Sequence, residues 1–329
     1  MVEWLTTWLK ILIFPGFIFA ILASLFYEWL DRKFYAKFQN RVGPLYTGPS
    51  GLLQPLADFI KLLSKEDITP EAADKPFFNL IPIFAVATVL TGILMLPIAS
   101  EAGVVSFYGD AIVAVAILTI FCVLVFLAGL FSVNRFSFVG AERAVSQLIG
   151  YEIPLTIALI GVLLAARSIR ISDVVGAQAS WWFILGPQAI GFAVFLIAGQ
   201  AELERIPFDI PEAKTEIIAG PYTEYSGASL ALFKLAHATM LFVLPCFVAN
   251  MFLGGLTIRF NDPVTATIDA VLIIVKLLVL VIVMALIRFF YPRARPDQAF
   301  GMFWKAATAW AAIALTLSVV SVIVGLPYL

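Results

Sequence analysis

Eight long apolar runs constrain this chain more than anything else in it. They fall at roughly 8–29, 79–99, 111–131, 151–168, 183–200, 231–255, 267–290 and 304–325. Most approach the roughly 20 residues a helix needs to cross the hydrocarbon core of a bilayer. Runs of this length favour helices over barrel strands, because lipid-exposed backbone must satisfy its own hydrogen bonds. Composition agrees: 62% of residues are hydrophobic, 13% are charged, and mean hydropathy is +1.00. A soluble domain would carry about 25% charged residues. The expected fold is therefore an all-α integral membrane protein, a single polytopic domain over residues 1–329 with about eight transmembrane helices. The N-terminal run fits a signal peptide poorly, since Glu3 stands where positive charge is expected and no A-x-A site follows. It is taken as a retained first helix.

Basic residues orient the bundle. Fifteen lie in the loops after the first, third, fifth and seventh runs or at the run ends beside them (Arg288, Lys305), and four (Lys10, Arg167, Arg170, Arg259) lie on the opposite side. The positive-inside rule then places loops 30–78, 132–150, 201–230 and 291–303 in the cytoplasm of a cell-membrane protein, with both termini outside. A net charge of -1 gives no reason to expect a nucleic-acid partner. The chain has two cysteines, Cys122 and Cys246, and one histidine, His237. A protein-held iron–sulfur cluster usually takes four thiolates, so any such cluster is expected in partner subunits, with no cofactor or metal held by this chain.

The first inner loop is too long for a plain connection. Its glycines and prolines between Gly43 and Gly51 mark turns. An amphipathic stretch from about Ser50 to Ser64 follows, with Leu52, Leu56, Phe59, Ile60 and Leu63 on one helical face. Two readings stand open: a helix lying in the membrane interface, and a helix packed on the bundle's own inner ends. The basic cluster Arg32, Lys33, Lys37 and Arg41 is likewise divided between topology with anionic-lipid attraction and a partner-docking surface.

The third inner loop is acidic where basic residues are the rule. Glu202, Glu204, Asp209, Glu212, Glu216 and Glu224 crowd together among Phe, Ile, Pro and Tyr. Asp209 and Pro211 suit a helix start, which predicts Glu212 and Glu216 on one helical face. Carboxylates crowded near low dielectric compete for protons, as a proton relay requires. A solvated acidic loop is the alternative. Within the spans, Lys276 lies near the middle of the seventh run, seven residues from Asp269. A charge at that depth asks for a partner or a purpose. His237 is open between a pH-tuned relay and a structural histidine, and Glu152 between an interfacial anchor and the entrance to a proton path.

Four blocks now carry a resemblance: Asp31 to Glu66 with DRKFYAKFQNRVGP, GLLQPLAD and KLLSKE; GAERAVSQLIGYEIP; AELERIPFDIPEAKTEIIAG with EYSG; and RFFYPRARPDQ. In this order they resemble the eight-helix membrane subunit that joins the hydrophilic and membrane arms of respiratory complex I. Its relatives serve energy-converting membrane-bound [NiFe] hydrogenases. The resemblance implies that Glu152, Glu202, Glu212 and Glu216 match acids of a proton-input path, that Glu224 matches the acid of the EYSG motif, and that Lys276 matches a lysine of the seventh helix. His237 is added to that path as a candidate. Arg205, Asp209, Arg293 and Asp297 match positions assigned mainly to loop architecture, with Arg32, Lys33, Lys37, Arg41, Asp58 and Lys61 beside them for loop architecture and docking.

The implied partners are an iron–sulfur cluster subunit, a [NiFe]-hydrogenase-like large subunit, antiporter-like membrane subunits and the lipid bilayer. The implied role is to couple their electron transfer to H⁺ or Na⁺ movement, with quinone a possible substrate of the assembly. Ala236-His237-Ala238 stands where quinone-linked members usually have A-E-Y, Lys214 replaces a frequent acid, and Glu204 stands where Asn or His is common. The changes at His237 and Lys214 shift the expectation toward the hydrogenase-related branch. The alternatives are a quinone-binding subunit of an NADH-, F420- or ferredoxin-linked complex, a free-standing ion transporter and a purely structural anchor.

Overall fold

The computed structural model describes residues 2–98, 100, 102–179, 181–255 and 263–324. Helices account for nearly all of its regular structure. In chain order they are α1 (Val2–Leu12), α2 (Phe17–Phe38), α3 (Gln54–Leu63), α4 (Lys75–Met95), α5 (Asp110–Phe131), α6 (Arg135–Ala166), α7 (Ile171–Ala177), α8 (Gln188–Glu202), α9 (Lys214–Ile217), α10 (Gly227–Phe252), α11 (Pro263–Phe290), α12 (Pro296–Gly301) and α13 (Thr308–Val324). Among the described residues, seven helical stretches are long and apolar enough to span a membrane. The eighth expected span is α8, with 15 residues. It rises only about 22 Å at 1.5 Å per residue, short of the roughly 30 Å hydrocarbon core of a bilayer.

Several helices outrun their apolar cores. α2 continues to Phe38, which puts Arg32, Lys33 and Lys37 on a helix. α6 begins at Arg135, where Asn134 accepts a hydrogen bond from Phe136 N at 2.8 Å, so most of the stretch 132–150 is helical. The physical reason is that Ala, Glu, Arg and Gln propagate a helix as well as Leu does. Hydropathy marks where lipid stops, and hydrogen bonding continues past that point. A π-helical turn at Met302–Ala307 joins α12 to α13.

α10 is the central helix. It is buried along almost its whole length and packs against α2, α3, α4 and α11. α6 packs against α5, α8 and α13. The amphipathic α3 packs one face against the bundle. Pro55 and Leu62 are buried against the bundle, while Leu56, Ile60 and Leu63 remain exposed.

One buried carboxylate ties the basic end of the bundle together. Asp31 of α2 is fully buried. Arg205, in the turn after α8, grips both its oxygens, and Arg288 of α11 reaches Oδ2 at 3.1 Å. The Arg288 guanidinium also lies 4.1 Å over the Tyr35 ring. Removing the charge would leave two guanidiniums facing each other, and breaking a buried pair costs about 3–5 kcal/mol. D31N is expected to lose about 3 kcal/mol of stability, the low end because both arginines keep some exposure. Thermal unfolding in mild detergent checks this, and an unchanged midpoint would contradict it.

Candidate functional site

The acids that matter lie where α8 ends. Gln147 of α6 donates to Ala201 O at 2.7 Å, and Gln200 donates to Met284 O of α11 at 2.8 Å. These bonds fix the last turn of α8, so Glu202 is held with 2% exposure. The chain then reverses at Glu204, whose φ of 50° lies in the left-handed region. This reversal turns the Glu204 side chain inward, and one of its oxygens, Oε1, has no hydrogen-bond partner among the described residues. Such conformations in non-glycine residues cluster at functional sites.

Three side chains meet at Glu204. The Tyr222 hydroxyl lies 3.4 Å from Glu204 Oε2 and 2.8 Å from His237 Nε2, and His237 Nε2 is 3.8 Å from Glu204 Oε2. Tyr222 is placed by the close approach of Gly140 on α6 to the turn that carries it. A Cβ at Gly140 would come within 2.7 Å of Gly220 and Pro221. The Phe121 ring meets His237 edge-on at 5.0 Å. Deeper in the bundle, Glu152 of α6 accepts from Thr119 Oγ1 of α5 at 3.0 Å. The Cys122 thiol sits within electrostatic reach of Glu204, Glu202 and Glu152.

The structure thus brings Glu202, Glu212 and His237 around Glu204, with Glu152 in electrostatic reach of Glu202, and leaves Glu216, Glu224 and Lys276 elsewhere. Glu212, half-buried, lies 3.7 Å from Lys214. Exposed Glu216 is bound by Arg143 and lies 3.9 Å from Arg293. The helix expected from Asp209 onward is only the four residues of α9, and Glu212 lies before it. Two carboxylates on one face would repel, and here each has its own cation instead. Glu224 accepts from Asn134. Lys276 is at the opposite end, 2.9 Å from Gly255 O and 4.9 Å above the Trp182 ring, in the wall of a cavity of about 540 Å³ shared with Asp173 and Asp269.

The remaining loop residues divide between fasteners and surface. Arg32 bonds Asp58 at 2.8 Å and also Glu28, while Lys33 donates to Pro44 O at 2.7 Å. These bonds hold α3 and the first loop to α2. Burial raises the Asp58 carboxyl, but hydrogen bonds from Arg32 and Gln54 outweigh it and hold the group low. Lys37, Arg41, Lys61 and Asp297 are exposed. Cys122 and Cys246 are buried on separate helices, and no metal-binding group of three or more His, Cys, Asp or Glu occurs among the described residues.

A family model described as NADH dehydrogenase matches residues 9–319. The chain belongs to this family. It is 37% identical over 300 residues to an NADH-quinone oxidoreductase subunit of Dehalococcoides mccartyi, covering 91% of this chain and 83% of that one. It is 37% identical over 303 residues to the subunit of the same name from Brevibacillus brevis, covering 89% and 87%. The protein is a multi-pass membrane subunit of the respiratory complex I type. Sequence reasoning counted Glu204 among the crowded acids of the loop but left it, with Tyr222 and Thr119, out of the assigned path. For Glu204 the available signal was an acid directly after a span, in a turn that buries it.

The loop acids have a measurable signature. Burial, with Glu212 and Asp209 nearby, raises Glu204 from an ordinary 4.5 to about 8, although Tyr222 opposes the shift. Burial and Glu212 raise Asp209 to about 6 against the pull of Arg293 and Lys214. The Arg143 hydrogen bond lowers Glu216. Between pH 4.5 and about 8 the folded chain holds a proton at Glu204 that the unfolded chain releases. Stability therefore falls as pH rises through that window. E204Q should flatten this dependence, as read from unfolding midpoints at a series of pH values. An unchanged slope would count against the assignment.

Proposed function

We propose that this chain is the membrane-anchoring and ion-coupling subunit of a quinone-reducing respiratory assembly. The carrying observation is the cluster of Glu204, His237, Glu202 and Glu152 at the basic end of the bundle, the end that also carries the docking surface. In this reading, electron transfer in a soluble iron–sulfur partner shifts charge at the loop acids. Protons then redistribute along the buried line toward Glu152, and H⁺ or Na⁺ moves in this and in neighbouring antiporter-like subunits. The basic end faces the cytoplasm of the cell membrane, as its fifteen basic residues favour. Exposed apolar side chains there, Val42, Tyr46 and Tyr291, suit a protein partner.

A quinone acceptor is favoured over a [NiFe] hydrogenase partner on two grounds. The two relatives above are named as subunits of an NADH-quinone oxidoreductase. The substitutions that pointed to the hydrogenase branch also leave the acid line intact: Glu204 faces His237 at 3.8 Å, and Lys214 sits at the surface with 75% of its side chain exposed. Glu216, Glu224 and Lys276 lie outside this line. They are assigned to loop fastening and to the opposite end.

Purification in mild detergent, with mass spectrometry of the co-purifying chains, tests the assembly. Iron–sulfur subunits and quinone reduction are expected. Hydrogen evolution from a [NiFe]-type large subunit would sink the quinone reading. E152Q and E202Q should assemble and pass electrons, yet pump at least about 10²-fold more slowly, the scale of a lost proton-transfer group. Full pumping by both would remove the carboxylate line from the mechanism.

A further inference from the structure

We propose that the Tyr222 hydroxyl is a proton bridge that carries a proton from His237 to Glu204. This relay rests on the coupling role proposed above and names the step that loads its buried acid.

The geometry permits two arrangements of the same three groups. In the first, protonated His237 donates from Nε2 to the Tyr222 oxygen, and Tyr222 donates to the Glu204 carboxylate. In the second, Glu204 holds the proton and donates to the Tyr222 oxygen, and the Tyr222 hydroxyl donates to the bare Nε2. Passing between them moves two protons over one bond each. The His237 N–H bond breaks as a new Tyr222 O–H bond forms, and the original Tyr222 O–H bond breaks as the Glu204 O–H bond forms. Tyrosine ends as it began. Imidazolium and carboxylate become neutral imidazole and carboxylic acid, so net charge is conserved and no co-reactant is needed.

Exposure sets the direction of loading. The His237 side chain keeps 25% of its surface open, against 4% for Glu204. His237 is therefore the more accessible end of the pair, and Glu204, the more enclosed end, receives its proton through a neighbour. The contact between His237 and Glu204, at 3.8 Å, is too long for a direct hydrogen bond. Tyr222 supplies the shorter path at 2.8 and 3.4 Å. The surroundings bear on both states. Glu212 and Arg205 lie in electrostatic range of His237, and Glu202, Asp209, Glu212 and Cys122 lie in range of the Glu204–Tyr222 end. A proton that leaves His237 thus removes a cation beside Arg205 and an anion beside Glu212.

The test reconstitutes the intact assembly in vesicles and measures electron transfer, pumping and the solvent isotope effect in Y222F, with E202Q alongside. Y222F removes the bridge and keeps both charges. It should assemble, pass electrons at the wild-type rate and pump at least about 10²-fold more slowly, the scale of a lost proton-transfer group, with the isotope effect of pumping altered. H237Q, which cannot be protonated, should show the same loss and decides the matter if Y222F fails to assemble. Wild-type pumping by Y222F, or by H237Q where that variant decides, with E202Q impaired overturns the relay and leaves the coupling role standing. Wild-type pumping by all three overturns both.

Discussion

The structure depends on the grip of Arg205 and Arg288 on the buried Asp31 carboxylate. Asp31 lies on α2, Arg288 on α11 and Arg205 in the turn after α8, so one charge fixes three elements far apart in sequence. Two cations on one anion leave that node net positive, and low dielectric magnifies the effect. The neighbouring acid Asp209 sits in the field of Arg288. Arg205 is also adjacent to Glu204 in sequence, so the contact that anchors the turn also aims Glu204 inward.

From that anchor the acids run inward with decreasing access to water. Glu216 is exposed and bound to cations, Glu212 is half-buried, and Glu204 and Glu202 are buried. Charge on a surface acid is screened within about 8–10 Å of salt water. Charge on a buried acid is felt by its neighbours, and burial also favours its protonated form. A change of charge at the basic end thus meets groups whose protonation responds to it. Half-buried Glu152 on α6, bonded to Thr119, lies in electrostatic reach of Glu202. Lys276 and its cavity belong to the opposite end, separated from the acids by the packed core of α10.

Much of the fold was legible because lipid imposes a simple rule on helices. The apolar runs located α4, α5, α10, α11 and α13 closely. The hidden parts were those where hydrogen bonding and hydropathy diverge, such as the first turns of α6 and the short α8. The candidate site was half legible. Glu152 and Glu202 stood out as acids near or inside spans, and His237 as the chain's one histidine. The Glu212–Glu216 face failed because local cations and an unwound backbone won over helix periodicity. The role of Tyr222 was invisible in sequence, since it arises from a glycine contact between Gly140 and the 220–222 turn.

The central claim is that buried carboxyl groups of this chain change protonation when its assembly turns over. A redox-triggered infrared difference spectrum of the purified assembly, recorded in H₂O and in D₂O, measures this directly. The account predicts carbonyl-stretch bands of protonated carboxyls that change on reduction and shift in D₂O. A spectrum with no change in the protonated-carboxyl region during steady turnover would contradict it.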